Sequence, residues 1–167
     1  MKKVYFFIIA AIGLLALLFI TRAIYAKHEI AELTTMIQAG DATGVFRLVT
    51  AHPQLLEADM MSERRAKYSP LTVAAGLGQE AVCSNLLVAG ANVNSQDKFG
   101  QTPLHKAVKN LNPNIVRLMV KFGANARIKD CDGNTPIDIV NHILLVPDSL
   151  KLSLLAAMGT NEVSNSP

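Results

Sequence analysis

The side chains best suited to chemistry in this chain are four histidines and two cysteines, and their spacing gives them nothing to do together. His28, His52, His105 and His142 are scattered through the sequence. No H-E-x-x-H, C-x-x-C, G-x-S-x-G or Walker pattern places a nucleophile, a base or a phosphate cradle. Asp130-Cys131-Asp132-Gly133-Asn134 slightly resembles a calcium loop, but it lacks the Asp-x-Asp-x-Asp-Gly spacing and the distal Glu that complete such a site. The chain is therefore expected to be no enzyme, and to hold no metal and no cofactor.

The residues with recognition chemistry are cations and aromatics. From Lys98 to Lys129 the chain carries seven basic residues and no acidic one: Lys98, Lys106, Lys109, Arg117, Lys121, Arg127 and Lys129. A second basic group, Arg64, Arg65 and Lys67, precedes Tyr68. The overall charge misleads. Beyond Lys27 there are 12 Lys or Arg and 13 Asp or Glu, so the net charge of +3 comes from the N-terminal segment. A nearly neutral domain is not expected to bind nucleic acid. A local basic patch attracts an acidic protein surface, or anionic headgroups if the chain lies at a membrane.

The elements that position these side chains repeat. Ser69-Pro70-Leu71-Thr72, Thr102-Pro103-Leu104-His105 and Thr135-Pro136-Ile137-Asp138 have their prolines 33 residues apart, twice running. Each hydroxyl residue can cap a helix whose first turn needs no N–H, which suits the proline. Leu104 and Ala107 share an inward face, and Gly123 ends the following helix in a left-handed turn. With a T-P-L-H core and this period, the units resemble ankyrin repeats. A degenerate first unit, Ala39-Gly40-Asp41 and Leu48-Val49, matches the second at an offset of 38. The connection between them, within 52–68, thus carries about five extra residues. The last unit drifts after Asp132-Gly133-Asn134, as a capping repeat does.

The fold expected is an all-α ankyrin-repeat solenoid of about four helix–turn–helix units, preceded by one transmembrane helix. Helix pairs are expected at 29–39 and 43–51, 70–77 and 80–89, 103–110 and 113–122, and 136–145 and 148–157. The domains expected are 1–27, a signal-anchor segment; 28–158, the repeats; and 159–167, a disordered tail. The resemblance places Lys98, Arg127 and Lys129 in or near hairpins, Lys106 and Lys109 on the concave side, and Arg117 and Lys121 on the convex side. It gives His105 a hydrogen bond between hairpins. Phe99 and Tyr68 stand where a polar tip residue is usual. Phe99 is either an exposed binding anchor or packed on the next hairpin. The partner-binding residues expected are Arg64, Arg65, Lys67, Tyr68, Lys98, Phe99, Gln101, Lys106, Lys109, Arg127 and Lys129. Cys83 in a second helix and Cys131 in a hairpin lie too far apart to bridge, so both are expected as free thiols.

Val4 to Thr21 carry no charge. As a helix the run spans about 27 Å, close to a bilayer's hydrocarbon core. It is longer than a signal-peptide apolar region, and Ile24-Tyr25-Ala26 is a poor cleavage match, so an uncleaved anchor is expected. Met1-Lys2-Lys3 on one side, against Arg22 and Lys27 on the other, slightly favours a cytoplasmic N-terminus. The repeats then lie outside the cytoplasm, at a bacterial inner membrane and in a periplasm. The resemblance implies a protein-binding module. Small exported bacterial proteins of this kind resemble immunity proteins that block a secreted toxin or hydrolase, or periplasmic partners of an oxidative-stress enzyme. A scaffold for an inner-membrane complex is the alternative.

Overall fold

A computed structural model describes residues 2–60, 68–143 and 147–159, with side chains from Ile12 onward. Among the described residues there are eight α-helices and no strand: α1 (Lys2–Ala39), α2 (Ala42–Ala51), α3 (Pro70–Gly76), α4 (Glu80–Val88), α5 (Pro103–Lys109), α6 (Pro113–Lys121), α7 (Pro136–His142) and α8 (Asp148–Ala157). A short 3-10 turn, Pro53–Glu57, follows α2. The expected prolines open α3, α5, α6 and α7 at their first turns. Ser69, Thr102 and Thr135 accept from the backbone N–H three residues on, a cap worth about 1 kcal/mol each.

The helices stack in two layers. The end of α1 packs on α3, α3 on α5 and α5 on α7; in the other layer α2 packs on α4, α4 on α6 and α6 on α8. No pair buries its own apolar face, so the core runs along the stack. Leu33, Ile37, Leu71, Leu86, Leu104, Ala107, Ile115, Met119 and Leu154 are fully buried along it.

The expected helix boundaries hold within a residue or two for the inner repeats. Two differ more. The first repeat helix has no start of its own, because α1 runs through Lys27 without a break. The seventh ends at His142, not at residue 145, because Ile143 is extended at φ −74°, ψ 106°.

From Ile12 to Tyr25 the large apolar side chains of α1 are exposed, and burial begins with Leu33. Among the described residues no helix is long and apolar enough to cross a membrane. The first part of the expected span, 4–11, lies outside the residues whose side chains are described. So does the expected tail from residue 160 onward.

Candidate protein-binding surface

The hairpins between α4 and α5 and between α6 and α7 are each organised by one aspartate. The Asp97 carboxylate accepts through Oδ1 from the backbone N–H groups of Phe99 at 2.8 Å and Gln101 at 2.9 Å. Its own N–H donates to the Gln101 carbonyl at 3.0 Å, closing the turn. Gly100, at φ +71°, supplies the left-handed residue. Thirty-three residues on, Asp130 does the same with the N–H groups of Asp132 at 3.1 Å and Asn134 at 3.0 Å. Both aspartates are buried. Burial pushes the Asp130 carboxyl up, but hydrogen bonds from Asn134, Asp132 and Gln101, with His105 nearby, outweigh it and leave it below the ordinary range. These backbone bonds give Asp130, in the stretch that slightly resembles a calcium loop, a structural role in the turn. Among the described residues no cluster of His, Cys, Asp or Glu could hold a metal.

Neighbouring hairpins are tied edge to edge. The Cys131 N–H donates to the Phe99 carbonyl at 2.8 Å. The Gln96 side-chain amide donates to the Gly100 carbonyl at 2.8 Å and the Lys129 carbonyl at 3.3 Å. His105 lies beneath them, fully buried. Its Nδ1 faces the Thr102 N–H at 3.1 Å and hydroxyl at 2.8 Å, and its Nε2 meets the Asn134 carbonyl at 3.2 Å. An N–H can only donate and a carbonyl can only accept, so the ring is neutral with its proton on Nε2. Burial lowers its pKa by more than the Asn134 bond and nearby Asp130 raise it. The ring thus has the inter-hairpin role the resemblance implied, together with a capping role.

The expected contact residues fall into three groups. Lys98, Lys109, Arg127 and Lys129 are exposed. Phe99 is also exposed, at 47% of its surface, with the Lys98 ammonium 4.8 Å from its ring centroid. Gln101 and Lys106 are engaged inside the fold. Gln101 is buried and reaches Asp130 Oδ2 at 3.4 Å. The Lys106 ammonium lies 3.0 Å from Asp97 Oδ2, donates to Gln101 Oε1 at 2.7 Å, and stands 5.2 Å from the half-buried Tyr68 ring. The third group, Arg64, Arg65 and Lys67, lies outside the described residues.

From the sequence alone, neither Asp97 nor Asp130 is assigned a role in shaping the hairpins. Their signal is present there: two aspartates one period apart, each followed three residues later by glycine. Both cysteines are free. Cys83 is buried, which pushes its thiol up to about 12, whereas Cys131 is exposed.

Comparison with known proteins agrees with this architecture. Residues 67–98 match the family model for the ankyrin repeat, and residues 86–140 match that for ankyrin repeats in many copies. The chain belongs to the ankyrin-repeat family. It is similar to mouse Rabankyrin-5, 39% identical over 75 residues, covering 44% of this chain and 6% of that protein. Mouse ankyrin repeat and SOCS box protein 16 is 27% identical over 126 residues, covering 73% of this chain and 27% of its own length. Mouse protein phosphatase 1 regulatory subunit 27 is 31% identical over 106 residues, covering 63% of this chain and 66% of its own length. The chain thus spans only a small part of the first two relatives. Ankyrin repeats are protein-interaction modules, and the chain carries them.

Proposed function

We propose that this ankyrin domain holds or inhibits a protein partner with an acidic surface, contacting it through the hairpin tips and the concave helices. One observation carries the reading. The fold exposes Lys98, Lys109, Arg127 and Lys129 while burying both aspartates that shape the same hairpins. The cationic field therefore faces outward with Asp132 as the exposed carboxylate beside it. Phe99 supplies an exposed apolar anchor in that field.

We further propose that residues 4–21 tether the domain at a bacterial inner membrane, with the repeats on the periplasmic side. The exposure of the large apolar side chains of α1 from Ile12 to Ile20 supports a lipid environment for that segment. Inhibition of a secreted toxin is one form of this reading and scaffolding of a membrane complex is the other. Partner stoichiometry separates them, since a scaffold co-purifies with resident proteins constitutively.

The experiment is affinity capture with the full chain in neutral detergent, read by mass spectrometry, beside Lys98→Glu/Lys129→Glu. A partner held by the wild type and released by charge reversal supports the reading. A partner indifferent to charge reversal overturns the acidic surface. Protease protection in spheroplasts tests the topology, and cleavage of the repeats is the expected result.

A further inference from the structure

We propose that the concave face between α3 and α5 seats one apolar side chain of an acidic peptide segment, and that Gly76 keeps the place open. The proposal rests on the reading of an acidic partner and specifies which part of it enters the domain.

The seat is a pocket of about 200 Å³ lined by Tyr68, Thr72, Val73, Gly76, Leu77 and Lys106. Its size decides the kind of occupant. A cavity of about 150 Å³ takes a benzene ring, whereas drug-sized ligands occupy roughly 300 Å³ or more. The pocket therefore fits a single leucine or aromatic side chain rather than a cofactor. Its walls are apolar despite the lysine. The Lys106 ammonium is turned to Asp97 and Gln101, so its methylene stem is left to line the space. Leu77, 50% exposed, forms the open rim.

Gly76 is the second observation. It is the last residue of α3, and the left-handed position that closes the helix is filled by Gly78. It is not among the residues with positive φ. A Cβ built there meets nothing within 4 Å. Neither backbone conformation nor packing requires a glycine, and the equivalent positions one and two periods on are Lys109 and His142. What the missing side chain does is leave the pocket unfilled.

Charge specifies the rest of the occupant. The sequences of α3 and α5 contain no carboxylate. Lys109, exposed, stands on α5 at the position equivalent to Gly76. The nearby Asp97 is buried and faces Lys106. Residues flanking the anchor on the α5 side thus meet the exposed Lys109 ammonium, which selects Asp or Glu beside a Leu, Phe or Tyr there. The Tyr68 side instead holds the carboxylate of Asp59, which accepts from the Tyr68 N–H at 3.2 Å.

The test is selection of random dodecapeptides displayed on phage against the full chain in neutral detergent micelles, followed by fluorescence anisotropy with the synthetic winners. The expected winners carry one large apolar residue with a carboxylate beside it. Gly76→Leu fills the pocket from an open position and should leave the melting temperature unchanged or higher. It should weaken those peptides by at least about tenfold, as loss of a buried anchor does, while Gly76→Ala binds like wild type. Winners that are acidic and sensitive to Lys109→Glu, but indifferent to Gly76→Leu, overturn the pocket and leave the acidic-partner reading standing. Winners that need the pocket but lack carboxylates overturn the assigned occupant. No enrichment over an unrelated protein overturns the pocket and counts against the concave face altogether.

Discussion

Replacing Gly100 by alanine separates the two reasons a hairpin needs glycine. The first is conformational. At φ +71° an L-residue costs about 1–2 kcal/mol, offset in part by about 0.4–1 kcal/mol of lost unfolded-state freedom. Gly123, at φ +86° with nothing within 4 Å of an added Cβ, carries this cost alone. Gly123→Ala should therefore lose no more than about 1.6 kcal/mol on the same two terms. The second reason is the next hairpin. A Cβ on Gly100 stands 3.0 Å from the Cys131 nitrogen and 3.1 Å from the Asp130 Cα. Backbone must move, and the Cys131–Phe99 hydrogen bond at 2.8 Å moves with it. Overpacking adds about 1–3 kcal/mol and the weakened bond about 0.5–1.5 kcal/mol. Gly100→Ala should thus lose at least about 1.5 kcal/mol more than Gly123→Ala by these terms. Urea unfolding followed by circular dichroism gives the difference, and hydrogen exchange of the Cys131 amide shows whether the hairpin seam has opened. Equal losses for the two variants, with the Cys131 amide still protected, would refute the claim that the hairpins are coupled through backbone contact.

Phe99→Ala should weaken partner binding by about 1–3 kcal/mol with an unchanged melting temperature, because the ring is half exposed; unchanged affinity in a titration removes it from the surface. Leu104→Ala should cost about 2–5 kcal/mol of stability as truncation of a fully buried side chain, and a wild-type melting temperature would contradict the inward face of α5. His105, whose folded pKa is lowered by burial, stabilises the fold as a neutral ring. That contribution is complete above the unfolded value of about 6.5 and declines as pH falls from there toward the folded pKa, because the unfolded chain binds the proton first. His105→Asn should flatten the stability profile through that window. A slope identical to wild type would assign the pH dependence to another group.

The repeat architecture was legible because its signals are local. A hydroxyl residue before proline starts a helix wherever it stands, and the prolines of this chain mark the period directly. The partners of the hairpin side chains were not legible, because they come from the adjacent repeat. Lys106 reads as a concave surface cation in sequence, yet Asp97, nine residues earlier, lies within 3.0 Å of it once α5 docks under the hairpin. Gln101 became internal for the same reason, through Asp130 of the following repeat. Leu111 shows the opposite failure. It occupies the left-handed position, φ +56°, that Gly78 holds one period before. No glycine announces that turn, and the half-buried leucine side chain packed on the core offsets the strain.

The unbroken course of α1 bears on how a partner is reached. Between Arg22, beyond the apolar run, and Leu33, the first fully buried core residue, the chain makes a single helical rod. Eleven residues at about 1.5 Å each set a stand-off of roughly 16 Å. If residues 4–21 are anchored as proposed, a flexible tether would let the repeats sweep a hemisphere above the lipid, whereas this rod would hold them near one height. Anchored as proposed, the domain samples a thin shell parallel to the bilayer. An acidic protein standing outside that shell would be refused by reach, whatever its affinity in solution.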